Sequence, residues 1–263
     1  MTTVNVPPGS DEQPTATTSV TSVRVIEALK DRHTAGVTEL ATELELSKGT
    51  VHKHLNTLRQ LDYVVKDGHE YRLSVSFLGL GTSARARLPI YDAALHPLED
   101  LAAATGETAS LMIPEHGHGI YIAQESGSRQ RTDDVRVGDR LPMHATAGGK
   151  AILSYMPPDE RNMILDRRGL PALTEHTITD RDELEDELQL VRDRRTAYDR
   201  GEHRSNRHCI AHPVMDADER AIAAVTVSGP ATRMKRKDAS TDFESLVGST
   251  INSIRNRLSR LED

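Results

Sequence analysis

The stretch from 22 to 73 constrains this chain most, because its hydrophobic period changes there in a fixed order. Val23, Ile26 and Leu29 recur at helical spacing after Ser22, a candidate N-cap. Leu40, Ala41 and Leu44 mark a second, short helix. A third starts at Ser47, whose hydroxyl suits an N-cap, and places Val51, Leu55 and Leu58 at i, i+4 and i+7. The pattern then becomes VVKDGHEYRL, two β-rich runs around Asp67-Gly68. That dipeptide predicts a type I′ hairpin turn, whose two central residues both need positive φ. Three short helices closed by a hairpin follow the order of a winged helix-turn-helix, in which the third helix enters the DNA major groove.

The third helix carries the chemistry for that role. With Val51, Leu55 and Leu58 turned inward, Lys48, Gly49, His52, Lys53, Asn56 and Arg59 point outward, with Thr50 at the border. Between Leu46 and Gln60 there are Lys48, Lys53 and Arg59 and no acid, although the whole chain has a formal net charge of -7. Net charge therefore gives no support to a nucleic-acid partner, whereas the local field of this helix does. Ser47, Lys48 and Thr50 suit phosphate contacts, aided by free N–H groups at the helix start. His52, Lys53 and Asn56 have donors and acceptors that suit base edges. Lys66, His69 and Arg72 on the wing are placed to track the backbone. His54 lies beside Leu55 and Leu58 and reads as a partly buried, satisfied histidine. A three-helix unit used only for protein contacts is the rival reading.

Composition sets the rest of the frame. Aromatic residues are only 3% of the chain and there is no Trp, so the cores must be aliphatic. A single cysteine, Cys209, excludes an internal disulfide and points to a reducing compartment. No apolar leader and no run of about 18 apolar residues is found, which places the chain in the cytoplasm and off the membrane. Arg outnumbers Lys and Asp is abundant, a balance that resembles proteins of salt-loving cells and also follows from a high-GC genome.

Along the chain, 1–18 reads as a disordered tail, 19–74 as the winged helix-turn-helix, 75–92 as a linker helix weakened by Gly79 and Gly81 and kinked or ended by Pro89, and 93–263 as a second, α+β domain. In that domain LEDLAAATGE is helical with Gly106 as C-cap, SLMI and GIYIAQ are strands, and GGKAILSYM opens a helix. Thr179 and Asp182 resemble a capping box before Leu184, Leu188 and Val191. CIAHPVMD and AIAAVTVSGP are adjacent strands joined by a turn from Asp216 to Arg220. A last helix from Ser240 puts Val247, Ile251, Ile254, Leu258 and Leu261 on one face.

Sharper motifs do not hold. ATAGGKA fails the phosphate-loop pattern at His144 and at Ala151, and GHGIYI has the wrong order for a dinucleotide fingerprint. His203, His208, Cys209 and His212 are close in sequence but not at a known zinc spacing, and Cys209 alternates away from His208 and His212 on a strand. No cofactor and no metal ligand is assigned. A Cys209-dependent hydrolase is a third reading, set against a small buried residue lining a core or pocket.

The run GVTELATELELSKGTVHKHLNTLRQLDYVVKDGHEYRLS resembles the DNA-binding domain of the IclR family of bacterial and archaeal regulators. LEDLAAATGETASLMI, RVGDRLPMHATAGGKAIL, DRGEHRSNRHCIAHPVMD and AVTVSGPATR resemble successive blocks of that family's effector-binding domain, and the whole is similar to a haloarchaeal member. Arg195 and Asn206 stand where the family usually has Gly, and Met215 where it has an aromatic; Arg195 is expected near a pocket entrance. The resemblance implies a GAF-like α+β effector domain, a homodimer or tetramer, an inverted-repeat operator in double-stranded DNA, and a small-molecule effector such as an organic or sugar-derived acid that controls catabolic genes by repression or activation. Carried over motif by motif, the effector site takes Ala147 and Gly148, then Asp199, Arg207 and Cys209, then Thr226 and Ser228. The residues fit: a helix start offers N–H groups to a carboxylate, and two hydroxyls two apart share a strand face. Asp199 is expected to accept from a ligand hydroxyl.

Overall fold

The computed structural model describes residues 16–127, 135–238 and 243–262. Its contacts divide the chain into two compact units between Ala84 and Arg85.

The first unit runs α1 (Thr17–Arg32), β1 (Ala35–Gly36), α2 (Val37–Glu43), α3 (Lys48–Gln60), β2 (Val64–Asp67) and β3 (Glu70–Leu73), ending in α4 (Phe77–Arg85). Val51, Leu55 and Leu58 of α3 are buried as the period predicts, and they pack with Leu40, Ala41 and Leu44 in one core. The Ser47 hydroxyl accepts from the Thr50 N–H at 3.0 Å, which fixes the start of α3.

The first helix departs from expectation. It begins at Thr17, inside the stretch read as a tail, and residues 1–15 of that tail lie outside the described residues. Ser22 is therefore not a cap but a mid-helix residue. Its hydroxyl meets His54 Nδ1 at 2.8 Å, which supplies the partner expected for His54. The buried stripe is Val25, Ala28 and Leu29, and Val23 is exposed. The true i, i+3, i+4 stripe includes an alanine, so a count of large residues misses it.

The hairpin is also shifted. Asp67 pairs with Glu70, so the central turn residues are Gly68 and His69. Positive φ occurs at Gly68 (57°) and not at His69, the pattern of a type II′ turn with Gly first. A two-residue strand, Ala35–Gly36, adds to β3, giving the sheet order β1-β3-β2. Nothing in its composition announces it.

In the linker the structure has two helices where one is expected. α4 ends at Arg85, and α5 (Pro89–Thr105) starts with Pro89 at its first turn, where the missing N–H costs nothing. Pro89 thus begins a helix that includes LEDLAAAT and ends at Gly106 with φ 66°.

The second unit continues with β4 (Thr108–Glu115), β5 (His118–Ser126), β6 (Arg140–Pro142), α6 (Ala147–Ser154), α7 (Pro158–Arg168), α8 (Arg181–Arg194), β7 (Ala197–Arg200), β8 (Arg207–Met215), β9 (Ala221–Pro230), α9 (Ala231–Asp238) and α10 (Phe243–Glu262). The strands form one antiparallel sheet of order β6-β5-β4-β9-β8-β7. One apolar layer joins Leu98 and Leu101 of α5 and Val247 and Ile254 of α10 to Leu111, Val225 and Val227. The other joins Ile152 and Leu153 of α6 and Leu184 and Leu188 of α8 to Met112, Ala211 and Ala224. This is the α+β class expected, with helices on both faces of the sheet. Of the last helix, Val247, Ile251 and Ile254 are buried and Leu258 is half-buried; Ser240 and the Leu261 side chain lie outside the described residues.

The cap of α8 is one residue off the expected box. Asp180, not Thr179, is the N-cap, and its carboxylate accepts from the Asp182 and Glu183 N–H groups at 2.9 and 3.0 Å. At the other end Arg195 has φ 57°, a left-handed C-cap. This explains why glycine suits that position, and it places Arg195 exposed at a helix end. We expect Arg195→Gly to raise the unfolding free energy by about 0.5–1 kcal/mol, the left-handed penalty less the backbone entropy glycine brings. Urea unfolding of the two proteins checks it; a loss of stability contradicts the strain assignment.

Candidate nucleic-acid interface and effector pocket

The exposed face of α3 carries Lys48, His52, Lys53 and Arg59, all open to solvent, with Ser47 exposed and Thr50 half-buried at the helix start. Gly49 faces open space, where an added Cβ would meet only the Ser47 hydroxyl at 3.8 Å. A backbone or phosphate can therefore approach the first turn of α3 closely. Asn56 is half-buried, and its Oδ1 accepts from Arg59 Nη2 at 3.0 Å. It presents its amide to a base edge only together with Arg59. The wing does not offer its cations on one face. Lys66 pairs across the hairpin with Tyr71 and lies 5.5 Å from that ring's centre, whereas Arg72 pairs with Val65 and shares its face with Asp67 and Glu70.

In the second unit the register builds a polar row in an apolar sheet. Cys209 pairs with Ser228, and Ser228 with Thr108; one step along, Ala211 pairs with Thr226, and Thr226 with Ser110. Cross-strand partners share a face, so Arg207, Cys209, Ser228, Thr226, Thr108 and Ser110 point the same way, toward α6. Arg207 Nη2 donates to Ser228 Oγ at 3.1 Å, and Gln124 Nε2 reaches Ser110 Oγ at 3.4 Å. The Thr226 hydroxyl is fully buried, and the Tyr121 phenol is the polar group that faces it. Its hydrogen bonding is left poorly formed, which costs free energy in a buried site.

α6 sits over this row. Thr146 caps it by accepting from the Gly149 N–H at 3.2 Å. A Cβ on Gly148 would come within 2.9 Å of Met112 Sδ and 3.1 Å of Thr226 Cγ2, so the glycine lets the first helical turn descend onto Thr226. Lys150 N–H bonds the Thr146 carbonyl, which leaves the N–H groups of Ala147 and Gly148 without an intrahelical acceptor. A cavity of about 40 Å³ opens beside it, lined by Arg207, Cys209 and Ser228 together with Tyr121, Gln124 and His203. Burial, then the charges of Arg204 and Arg207, push His203 down to about 4, so it presents a neutral imidazole. Burial, with the neighbouring Cys209, raises the Tyr121 phenol, which stays protonated.

Asp199 departs from its expected role. It pairs with Cys209 in the sheet but, like Ala147, Gly148 and Thr226 of the expected set, does not line this cavity. Its Oδ1 accepts from the backbone N–H groups of Gly201, Glu202 and His203 at 3.0, 2.7 and 3.3 Å. Oδ1 thus shapes that loop. Burial, with the Glu202 charge, pushes it up to about 7 despite those bonds and Lys150. Tyr121, Gln124, Ser110 and His203 were not singled out from the sequence. The strand period of GIYIAQ put Tyr121 and Gln124 on a strand but could not say which face meets α6, because the β4–β5 register shifts between Leu111 and Met112. Arg195 does not line the cavity either.

Two family models match the chain: the bacterial transcriptional regulator IclR C-terminal model over residues 82–255 and the IclR helix-turn-helix domain over residues 22–68. The chain belongs to the IclR family. It is 32% identical over 226 residues to the HTH-type transcriptional regulator KdgR of Dickeya chrysanthemi, covering 85% of this chain and 74% of that one. With the probable HTH-type transcriptional regulator ArcR of Halobacterium salinarum it shares 29% identity over 251 residues, 94% of this chain and 95% of the other. A crystal structure of a transcriptional regulator from Rhodococcus sp. RHA1 superposes with a TM-score of 0.78 at 28% identity, covering 94% of this chain and all of that one. The IclR relatives are DNA-binding transcription regulators, repressors among them, and the present chain carries their helix-turn-helix. Among the described residues no helix is long and apolar enough to cross a membrane.

The raised Asp199 gives a pH signature. The folded protein holds this proton more tightly than the unfolded chain, whose Asp titrates near ~3.9. Its contribution to stability is full below about 4 and is lost as pH rises through about 7. Asn keeps the acceptor oxygen but not the proton. The melting temperature of the parent minus that of Asp199→Asn should therefore fall across this window and be level above it. A difference that does not vary with pH contradicts the assignment.

Proposed function

We propose that this IclR-family regulator binds an inverted-repeat operator as a cytoplasmic homodimer or dimer of dimers, and that a small hydroxylated organic acid, sugar-derived acids included, modulates the binding and so controls catabolic genes. The observation that carries the effector half is the polar row beneath the first turn of α6: Arg207 donates to Ser228 at the cavity wall, with the buried Thr226 hydroxyl and the Tyr121 phenol beside them. The helix start suits a carboxylate, while Thr226, Ser228 and the neutral His203 suit hydroxyl oxygens. A cavity of about 40 Å³ favours a compact acid that brings little bulk. Asp199 does not enter this selection, since it lies off the cavity and its Oδ1 is bound to the loop backbone.

For the DNA half, Lys48, His52 and Lys53 are exposed on an acid-free helix, with Ser47 and Thr50 at its start, Asn56 through Arg59, and Lys66 and Arg72 on opposite faces of the wing. The dimer is supported by α4, which has no buried residue, and by Leu78 and Leu80, which are 71% and 55% exposed. An apolar helix left in water invites a second copy, and a two-fold dimer reads two half-sites about 10 base pairs or a multiple apart.

A paired experiment separates the halves. Anisotropy on the protein's own upstream DNA should show Lys53→Ala losing about 5–150-fold in specific over non-specific affinity, the equivalent of about 1–3 kcal/mol per base contact. In the same assay Ser228→Leu should keep operator affinity and lose its response to a panel of hydroxy acids. A full response in Ser228→Leu would put the effector elsewhere; unchanged specificity in Lys53→Ala would remove α3 from base readout.

A further inference from the structure

Lys150, in the first turn of α6, is a lysine only 1% exposed. Beside an acid-binding site a buried lysine invites the role of counter-ion to the ligand. Its ammonium is already committed elsewhere. Nζ donates to Glu202 Oε1 and Oε2 at 2.7 and 2.9 Å and to Glu187 Oε1 of α8 at 2.9 Å. All three ammonium protons are used.

Glu202 belongs to the loop that Asp199 organises. The backbone of this loop is held from a second side as well: Thr174 Oγ1 donates to the Gly201 carbonyl at 2.7 Å, and Thr177 Oγ1 to the Glu202 carbonyl at 2.6 Å. The next residue, His203, lines the cavity. So one helical turn carries Gly148, which packs onto Thr226, and also the cation that grips the loop bearing His203.

We infer that Lys150 is a positioning residue of the effector site: it clamps the Gly201–His203 wall to the first turn of α6, so that the two sides of the cavity keep one geometry. The inference deepens the effector-site reading and rests on it for its functional consequence. The clamp itself is a separate physical claim, read without any ligand. Ion pairs this deep cost desolvation, and replacing both partners by apolar groups of similar size is tolerated, whereas removing one strands a buried charge. That difference makes the role testable.

In the full-length protein, amide hydrogen exchange at Gly201, Glu202 and His203 should speed up at least tenfold in Lys150→Met, with a lower melting temperature. In Lys150→Met/Glu202→Met the glutamate that remains, Glu187, is 27% exposed and is solvated by water, so no fully buried charge is stranded. Its melting temperature should return to within a few degrees of the parent, while exchange in the loop stays at least tenfold faster and operator affinity without acid is unchanged. The apparent Kd for the probe D-glycerate should rise at least tenfold in the double variant. A purely structural role predicts that loop protection recovers together with the melting temperature; that result, or unchanged loop exchange in Lys150→Met, overturns the proposal. If D-glycerate fails to bind the parent, the ligand-class reading loses its support, and the exchange data still decide the clamp.

Discussion

Both faces of the six-stranded sheet are covered by helices, and everything in the second unit follows from that constraint. On its central strands a side chain must be apolar or must find a polar partner, since water cannot reach it. β9 obeys on one face with Val225 and Val227, both 0% exposed, against α5 and α10. On the other face it carries Thr226 and Ser228, which meet Tyr121 and Arg207. This polar interruption of an otherwise apolar sheet carries the proposed site, more than any motif does. Covering helices also force the charged groups near the sheet to pair. Glu107, fully buried, takes a two-point contact from Arg233 Nε and Nη2 at 2.6 and 2.7 Å, and Lys150 is enclosed by two glutamates.

The first unit was legible almost residue by residue where the period is strong. α3 shows its buried face as Val51, Leu55 and Leu58 and its cap as Ser47, since a helix of that length with a 3.6-residue stripe has few alternatives. α1 was harder, because Ala28 carries part of its buried stripe and Ser22 looks like a cap while serving His54 across the core. β1 could not be read at all. Two residues have no period, and their pairing with Glu70 and Tyr71 is purely tertiary.

The site in the second unit was legible by resemblance and only partly by chemistry. Arg207, Cys209, Thr226 and Ser228 meet on one face because strand alternation was read correctly. Gly148 joins them because a helix start was. Asp199 shows where residue type runs short: it fits a ligand hydroxyl, yet the fold gives its Oδ1 three backbone N–H groups of a loop closed by Thr174 and Thr177. Lys150 was hidden for the opposite reason. Its neighbours Gly148 and Gly149 drew attention to the backbone, while its partners lie 37 and 52 residues away in sequence.

The molecule also offers a larger apolar cleft of about 400 Å³, lined by Leu88, Ile113, Ile222 and Leu258 and bordered by the Glu160–Arg220 ion pair. It lies four or five residues along β4 and β9 from the polar row, roughly 15 Å at strand spacing. Volume alone would favour the cleft; the buried polar groups favour the row. Methyl NMR decides between them. With Thr226, Ala147, Ile222 and Leu258 labelled, titration with hydroxy acids should shift the Thr226 and Ala147 methyls saturably and leave Ile222 and Leu258 still. Saturable shifts at Ile222 and Leu258, with Thr226 and Ala147 unmoved, would contradict the effector site described here.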